Sequence, residues 1–263
     1  MRVSITLPSL FPDQLAKAID LIRARTQSVE YEIVVVSPFE VKGPNIVWVR
    51  EDQPQGNVPA HRAAFAHTTG DLVLAVSDDT ELAPAWDAIA VQNFQARERG
   101  QALFCLGLSL RTRTVGTMFG IYYPFFPLAR RACFERIGYF AGPYKAHFAD
   151  GDMGLRIWDA GGRCEFSEKP LVTMHDPPGR EASLKGKTLA QDMAAFLAHW
   201  APKYGAGWKT QELRDFNLEI GPMEGLVFSR DNTIWFNDPK FKELFDNYLV
   251  NSRNVRVMLT FPY

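Results

Sequence analysis

Residues 32 to 36 read EIVVV, a strand-length stretch whose apolar part is entirely β-branched. A run of this kind fits a strand covered on both faces, as in a parallel sheet, where apolar and polar residues need not alternate. Two more strands accompany it, Val3 to Leu7, which stops at Pro8, and Leu72 to Val76, which follows Gly70-Asp71. Between them the pattern switches to helical spacing. Leu15, Ile19 and Ile22 share one face over residues 13 to 24, with Asp13 as the N-cap, and Val58 to Thr68 forms a second helix with Gly70 just beyond it. Asn45 to Val49 adds a strand, and Pro84 to Arg99 a long helix opened by proline. Strands and helices in alternation imply a parallel sheet with right-handed crossovers.

Beyond residue 100 the character changes. Strands are expected at 102 to 110 and 115 to 122, joined as a hairpin through Arg111-Thr112-Arg113-Thr114. Leu128 to Ile137 reads as a helix capped by Gly138, and Gly151 to Ala160 as another, stopped by Gly161-Gly162. Glu165 to Met174 contains a strand that leads to His175. The segment DPPGREASLKGKT, residues 176 to 188, reads as a mobile loop, and Ala190 to Trp200 as a helix. Past Gly205 a helix is expected at Pro239 to Val250 and a strand at Val255 to Phe261, the latter covering the domain or pairing with a second copy in a homodimer.

Composition narrows the function classes. A formal net charge of −1 lacks the basic excess of a nucleic-acid binder. Cys105, Cys133 and Cys164 form no C-x-x-C pair and read as buried small hydrophobes in a reducing compartment. The chain opens directly into a strand with no visible signal peptide, and its longest apolar stretch, Met118 to Leu128, is too short to span a bilayer, so a cytoplasmic protein is expected. The aromatic run Phe119 to Phe126 (FGIYYPFF) is read as core packing, with an apolar acceptor or a peripheral membrane contact as the alternative.

The chemistry gathers at four places. Asp78 and Asp79 stand side by side at the C-terminal end of a strand, the lip at which open α/β sheets bind ligands. Adjacent carboxylates repel unless a cation intervenes, and Mg²⁺ or Mn²⁺ is commonly held by one or two carboxylates while substrate phosphates complete the shell. A solvated turn with a helix N-cap would look the same. Asp150 and Asp152 open a helix, where carboxylates complement the dipole or serve as a general base. His175 leaves a strand, as a structural residue or as a metal or phosphate contact. Arg180, Lys185 and Lys187 lie in the following segment, where cations would stabilise the charge growing on a departing diphosphate.

The order of these features resembles the family 2 glycosyltransferases of the GT-A fold. SITLPSL matches the family's first strand and its proline-containing loop, and NVPAHRAAFAHTTGDLVLAVSDD its helix, strand and acidic motif. RRACFERIGYF matches R-x-x-F-x-x-x-G-x-F, and ADGDMGLRIWDAG matches ED-x-D-L-x-x-R-x-x-x-A-G. The resemblance spans roughly residues 3 to 204. It implies an α/β domain of GT-A type at 1–204 with a mostly parallel sheet, a nucleotide-sugar half at 1–100 and an acceptor half at 101–204, followed by an extension at 205–263. It implies a metal-dependent inverting transfer of a hexose from a nucleotide-diphosphate sugar to the hydroxyl of a glycan or lipid-linked acceptor, as in cell-surface polysaccharide synthesis. Asp79 would bind the Mn²⁺ or Mg²⁺, with Asp78 beside it and His175 as a further metal or phosphate contact. Asp150 would be the base, and Asp152 would orient the acceptor or support the base. Pro8 and Ser37 would line the nucleotide pocket, Arg62 would contact substrate, and Arg180 and Lys185 the diphosphate.

The chain departs from the family at several points. Ser37 stands where an Asp is usual, Ser77-Asp78-Asp79 replaces D-x-D, Ala149 replaces the Glu ahead of the base, and His61-Arg62 replaces Arg-Asn. These leave open a non-catalytic nucleotide-sugar or glycan-binding module on the same fold. A sugar-phosphate nucleotidyltransferase would want a Gly-rich basic loop after the first strand, and PSLFPDQ is not one.

Overall fold

A computed structural model describes the backbone of residues 1–109, 117–119, 121–167, 170–175 and 185–205, with two short strands at 227–228 and 234–235. The chain opens with β1 (Arg2–Pro8), α1 (Pro12–Arg25), β2 (Glu30–Ser37), β3 (Ile46–Arg50), α2 (Asn57–Phe65) and β4 (Leu72–Ala75). β5 (Thr80–Leu82), α3 (Trp86–Glu98), β6 (Phe104–Ser109), β7 (Thr117–Met118), β8 (Ile121–Tyr122) and β9 (Phe125–Arg130) follow. Then come α4 (Arg131–Ile137), α5 (Ala149–Asp159), β10 (Arg163–Phe166), β11 (Val172–Met174), α6 (Lys185–Tyr204), β12 (Val227–Phe228) and β13 (Ile234–Trp235).

Among the described residues the main sheet has seven strands in the order β10-β6-β9-β4-β1-β2-β3. β9 is antiparallel to both its neighbours, and the other six strands run in one direction. The two faces are packed separately. Val3, Ile5 and Leu7 of β1 join Ile33, Val35, Leu72 and Leu74 beneath α1 and α3. On the other face Val34 and Val36 meet Ala60 and Ala64 of α2, while Val73, Ala75 and Cys105 pack with α5 and with Phe196 and Trp200 of α6. Both faces of β2 are buried, as its β-branched run requires.

Several boundaries differ from the sequence reading. Phe11 is the N-cap of α1, Pro12 its first residue, and Asp13 sits in its first turn. α3 starts at Trp86, after an N-cap at Ala85 with a positive φ of 55°, and Thr80–Leu82 pairs as a strand with Val172–Met174. The expected hairpin through residues 111 to 114 lies outside the described residues, but β6 pairs with β9, and 117–118 pairs with 121–122. Leu128 to Arg130 belong to β9 rather than to a helix. That strand carries Pro127 opposite Gly107 of β6, one residue beyond the last β9 residue paired with β4, Leu128, so the proline meets a partner strand on one side only, as an edge position allows. Gly138 does cap α4 with a positive φ of 83°. Lys185 to Thr188 form the first turn of α6, and residues 176–184 lie outside the described set, as do the helix and strand expected after 238.

Phe119 and Tyr123 are buried, and Phe119 stacks on Phe196 of α6 with ring centroids 5.8 Å apart, so these two members of the aromatic run belong to the core. The three cysteines are buried thiols, and burial pushes Cys133 up to about 11. None of the described helices is long and apolar enough to cross a membrane.

α5 lies close against the chain between β8 and β9. A Cβ on Gly154 would stand 2.7 Å from the Cβ and 2.9 Å from the Cα of Tyr123, so a mid-helix glycine is required by packing. Helix propensity alone would make Gly154→Ala stabilising by about 1 kcal/mol. Overpacking predicts the opposite, a loss of about 1–3 kcal/mol in urea unfolding.

Candidate active site

The chain runs outward from β1 to β2 and β3, then returns across β1 to β4 on its other side. This reversal opens a crevice at the C-terminal ends of β1 and β4, the place where open α/β sheets bind ligands. Pro8 ends β1 there and is buried. Ser9 next to it is fixed by its backbone N–H to the Val36 carbonyl at 2.9 Å, and its hydroxyl donates to Asp78 Oδ2 at 2.6 Å across the crevice. Asp78 and Asp79 occupy a tight turn closed by Thr80, whose N–H and Oγ1 both donate to the Ser77 carbonyl, at 3.1 and 2.6 Å. Asp79 is buried. Its carbonyl accepts the His175 backbone N–H at 2.8 Å, which brings the end of β11 alongside the Asp pair. The His175 ring lies against Glu81, with Nε2 3.0 Å from Oε2.

Ser37 ends β2 at the same edge. Its hydroxyl donates to the Phe39 carbonyl at 2.6 Å and accepts from Trp48 Nε1 at 3.1 Å. Glu51, which the sequence reading did not single out, follows β3 and donates its N–H to the Ser37 carbonyl at 3.1 Å. Burial pushes its carboxyl above the usual range. Its only signal in the sequence was an acidic residue just past a strand.

α5 packs on the face of the sheet that carries Val73, Ala75 and Cys105. Phe148 is its N-cap, with a positive φ of 63°, and Asp150 and Asp152 fall in its first turn. Asp150 is partly exposed and close enough to Tyr139 and Cys105 to oppose their ionisation electrostatically, in both cases as a smaller effect than burial. Asp152 is buried and engaged on both oxygens. Oδ1 accepts from Tyr144 at 3.1 Å and Trp200 Nε1 at 2.9 Å, and Oδ2 from Arg156 Nε at 2.8 Å. Arg156 also donates to the carbonyls of Ile137 and Tyr139, so Asp152 ties α5 to the turn after α4.

Asp192 on α6 was also missed. It is fully buried and accepts the backbone N–H groups of Lys145, Ala146 and His147 at 3.0, 2.9 and 2.9 Å, which holds the loop leading into Asp150. The same loop is fastened to α2. The Lys145 carbonyl accepts the Val58 N–H at 3.2 Å, and a side chain on Gly56, at a φ of 116°, would collide with that carbonyl. Arg62 donates to the Gly142 carbonyl at 3.2 Å. Lys187 is exposed near the start of α6, where Lys185 supplies the first backbone position, and Arg180 lies outside the described residues.

A buried polar chain joins the two halves. Thr6 Oγ1 of β1 lies 2.9 Å from His61 Nδ1 on α2 and 3.1 Å from the Tyr139 hydroxyl. Tyr139 is close enough to Asp150 to act on it electrostatically, so one ring, that of Tyr139, stands between Thr6 and the vicinity of Asp150. His61 replaced a basic residue in the family pattern, and its burial was not visible from sequence.

No group of three or more His, Cys, Asp or Glu side chains converges on a metal position among the described residues. The donors present nevertheless suit a hard cation. Asp78 and Asp79 offer carboxylate oxygens at one turn, and a diphosphate-bridging Mg²⁺ or Mn²⁺ needs only one or two of these from the protein.

The architecture is that of the GT-A-like glycosyltransferases. No family model matches the chain, and no curated protein matches it in sequence. Among solved structures it is similar to S. aureus TarS 1–349 in complex with UDP-GlcNAc, with a TM-score of 0.53 and 14% identity over 68% of this chain and 60% of that one. The mannosyltransferase PcManGT from Pyrobaculum calidifontis, in complex with GDP-Man and Mn²⁺, gives a TM-score of 0.57 and 18% identity over 75% of this chain and 63% of that one. A further structure of TarS 1–349 gives 0.51 and 12% over 77% and 74%. The chain thus spans less than two thirds of the length of the first two proteins.

Burial pushes the His61 imidazole down to about 3. In the unfolded chain it would titrate near 6.5. The unfolded state therefore takes up a proton that the folded state refuses, and stability falls as pH drops from about 6.5 toward 3. Between pH 7 and 5 the native protein should lose about 2 kcal/mol more than His61→Gln does, as read by urea unfolding at the two pH values.

Proposed function

We propose that the chain is a metal-dependent inverting glycosyltransferase that moves a hexose from a nucleotide-diphosphate sugar to the hydroxyl of a glycan or lipid-linked acceptor. Two observations support the reading: the Asp78-Asp79 turn stands past the C-terminal end of β4 with Ser9 of β1 bonded to Asp78, and Asp150, in the first turn of α5, is close enough to act electrostatically on Tyr139, the hydrogen-bond partner of Thr6 on β1. The nucleotide-sugar complexes of TarS and PcManGT, on the same fold, support the donor class. In this reading residues 1–100 hold the donor, 101–204 the acceptor, and 205–263 form an extension, with the protein acting on the cytoplasmic side.

Asp79, with Asp78 beside it, would hold Mn²⁺ or Mg²⁺, and His175 would add a metal or phosphate contact. The cation, when bound, offsets the charge that grows on the departing nucleoside diphosphate. Pro8, Ser37 and Arg62 line the donor pocket, and Arg180 and Lys185 approach the diphosphate from the segment around the start of α6. Asp150 takes the proton of the acceptor hydroxyl as its oxygen attacks the anomeric carbon. The bond to the diphosphate breaks on the opposite face, so the configuration inverts. Asp152, held by three donors, supports this from beneath by fixing α5. Asp192 fixes the approach loop.

Asp150→Asn should lower kcat by 10²-fold or more, given what a general base ordinarily contributes, while leaving nucleotide-sugar binding by calorimetry within about twofold. Donor binding in the native protein with no transfer to any acceptor would favour the non-catalytic nucleotide-sugar or glycan-binding module, to which the occupied hydroxyl of Ser37 is also suited.

A further inference from the structure

The partner of the His175 ring has a role that the donor-site reading leaves unassigned. β5 and β11 form a two-stranded antiparallel ladder, with Thr173 opposite Glu81 and Met174 opposite Thr80. The ladder runs one step further through the His175 N–H to the Asp79 carbonyl, which sets His175 across from Asp79. The ring then leans back along the strand to Glu81, with Nε2 and Oε2 3.0 Å apart. Glu81 is held from the other side. Its Oε1 takes Arg25 Nη2 at 2.5 Å, and Arg25, at the end of α1, also donates to the Leu82 carbonyl. The Arg25 guanidinium can only donate, so this ion pair holds Glu81 as an accepting carboxylate.

An ionised carboxylate can only accept. The bond to Glu81 therefore requires the proton of a neutral imidazole to sit on Nε2, leaving the lone pair on Nδ1. Histidines that bind metals ordinarily give their other ring N–H to a carboxylate or carbonyl, which sets the tautomer and raises the basicity of the ligating nitrogen. Stability is a poor explanation for the cluster, because Glu81 and His175 are 36% and 56% exposed in their side chains and exposed ion pairs add little.

We propose that Glu81, anchored by Arg25, is a positioning residue that fixes His175 in the Nε2–H tautomer and so assigns Nδ1 as its ligand atom for the cation held at Asp79. This rests on the reading of Asp79 and His175 as the metal end of the donor site.

Two measurements on the full chain test it. The first is an EPR titration of Mn²⁺ in the presence of UDP and, separately, GDP. His175→Ala and Glu81→Ala should each weaken Mn²⁺ binding by roughly ten- to a hundredfold. The double variant should be no weaker than His175→Ala, and Glu81→Gln, whose amide oxygen still accepts the N–H, should recover part of the loss. Unchanged or tighter Mn²⁺ binding in Glu81→Ala, with His175→Ala still weakened, would overturn the positioning role alone. No effect of His175→Ala would remove the metal reading beneath it and the proposal with it. The second is the ¹⁵N spectrum of the imidazoles in the metal-free protein above the histidine titration range. It should show His175 protonated on Nε2, and protonation on Nδ1 would contradict the assignment. Thermal melts of Glu81→Ala should match the native protein, which separates positioning from folding.

Discussion

Burial of β1 on both faces, between β2 and β4, is the constraint on which the rest of the molecule depends. Because the chain leaves β1 on one side and returns on the other, the C-terminal ends of β1 and β4 cannot be bridged by a short crossover, and the crevice between them stays open. Ser9 and Asp78 meet across it. The apolar residues of β1 face α1 and α3, so its polar residues, Ser4 and Thr6, must find partners on the opposite face. Ser4 finds Glu32 and the backbone N–H of Gly70 at the far end of the strand, where a Cβ at position 70 would crowd the Ser4 backbone. Thr6 finds His61 and Tyr139 nearer the site. A buried polar group without such a partner costs about 1–3 kcal/mol, so these bonds restrict which helix residues can sit above the strand.

The segment from α4 to α6 is built on the same logic at larger scale. Asp152 and Asp192 are both buried carboxylates engaged by several donors, one within α5 and the other across from α6. Neither faces the crevice as a solitary charge. Each spends its hydrogen-bonding capacity on a segment adjoining Asp150, and the half-exposed Asp150 stands on a loop and helix that cannot drift independently. Groups meant to act within fractions of an ångström need that kind of support.

Much of this was legible in the sequence, for identifiable reasons. The parallel sheet followed from β-branched runs at helix-separated spacing, and the placement of Asp78 and Asp79 from their position just past a strand. What was missed shares a cause. β9 was hidden because Pro127 breaks the strand pattern, and the proline is tolerated where the ladder to β4 has already ended at Leu128. β5 was hidden because three residues carry no period, and only the ladder to Val172–Met174 makes them a strand. Glu81, Glu51 and Asp192 each looked like ordinary surface acids, and their roles arise from contacts with residues distant in sequence. His61 looked like a substitution in a motif, and became a buried neutral link once α2 was laid over β1.

The central claim is that the crevice at the ends of β1 and β4 takes a nucleoside diphosphate together with a divalent cation. The most direct measurement is a thermal-shift panel of UDP, GDP, dTDP and CMP with and without Mn²⁺, since a ligand that binds the native state stabilises it by RT ln(1 + [L]/Kd) and so raises its melting temperature. The account predicts a rise with at least one of the diphosphates that is lost when EDTA replaces Mn²⁺. No shift with any of the four nucleotides in the presence of Mn²⁺ would contradict it.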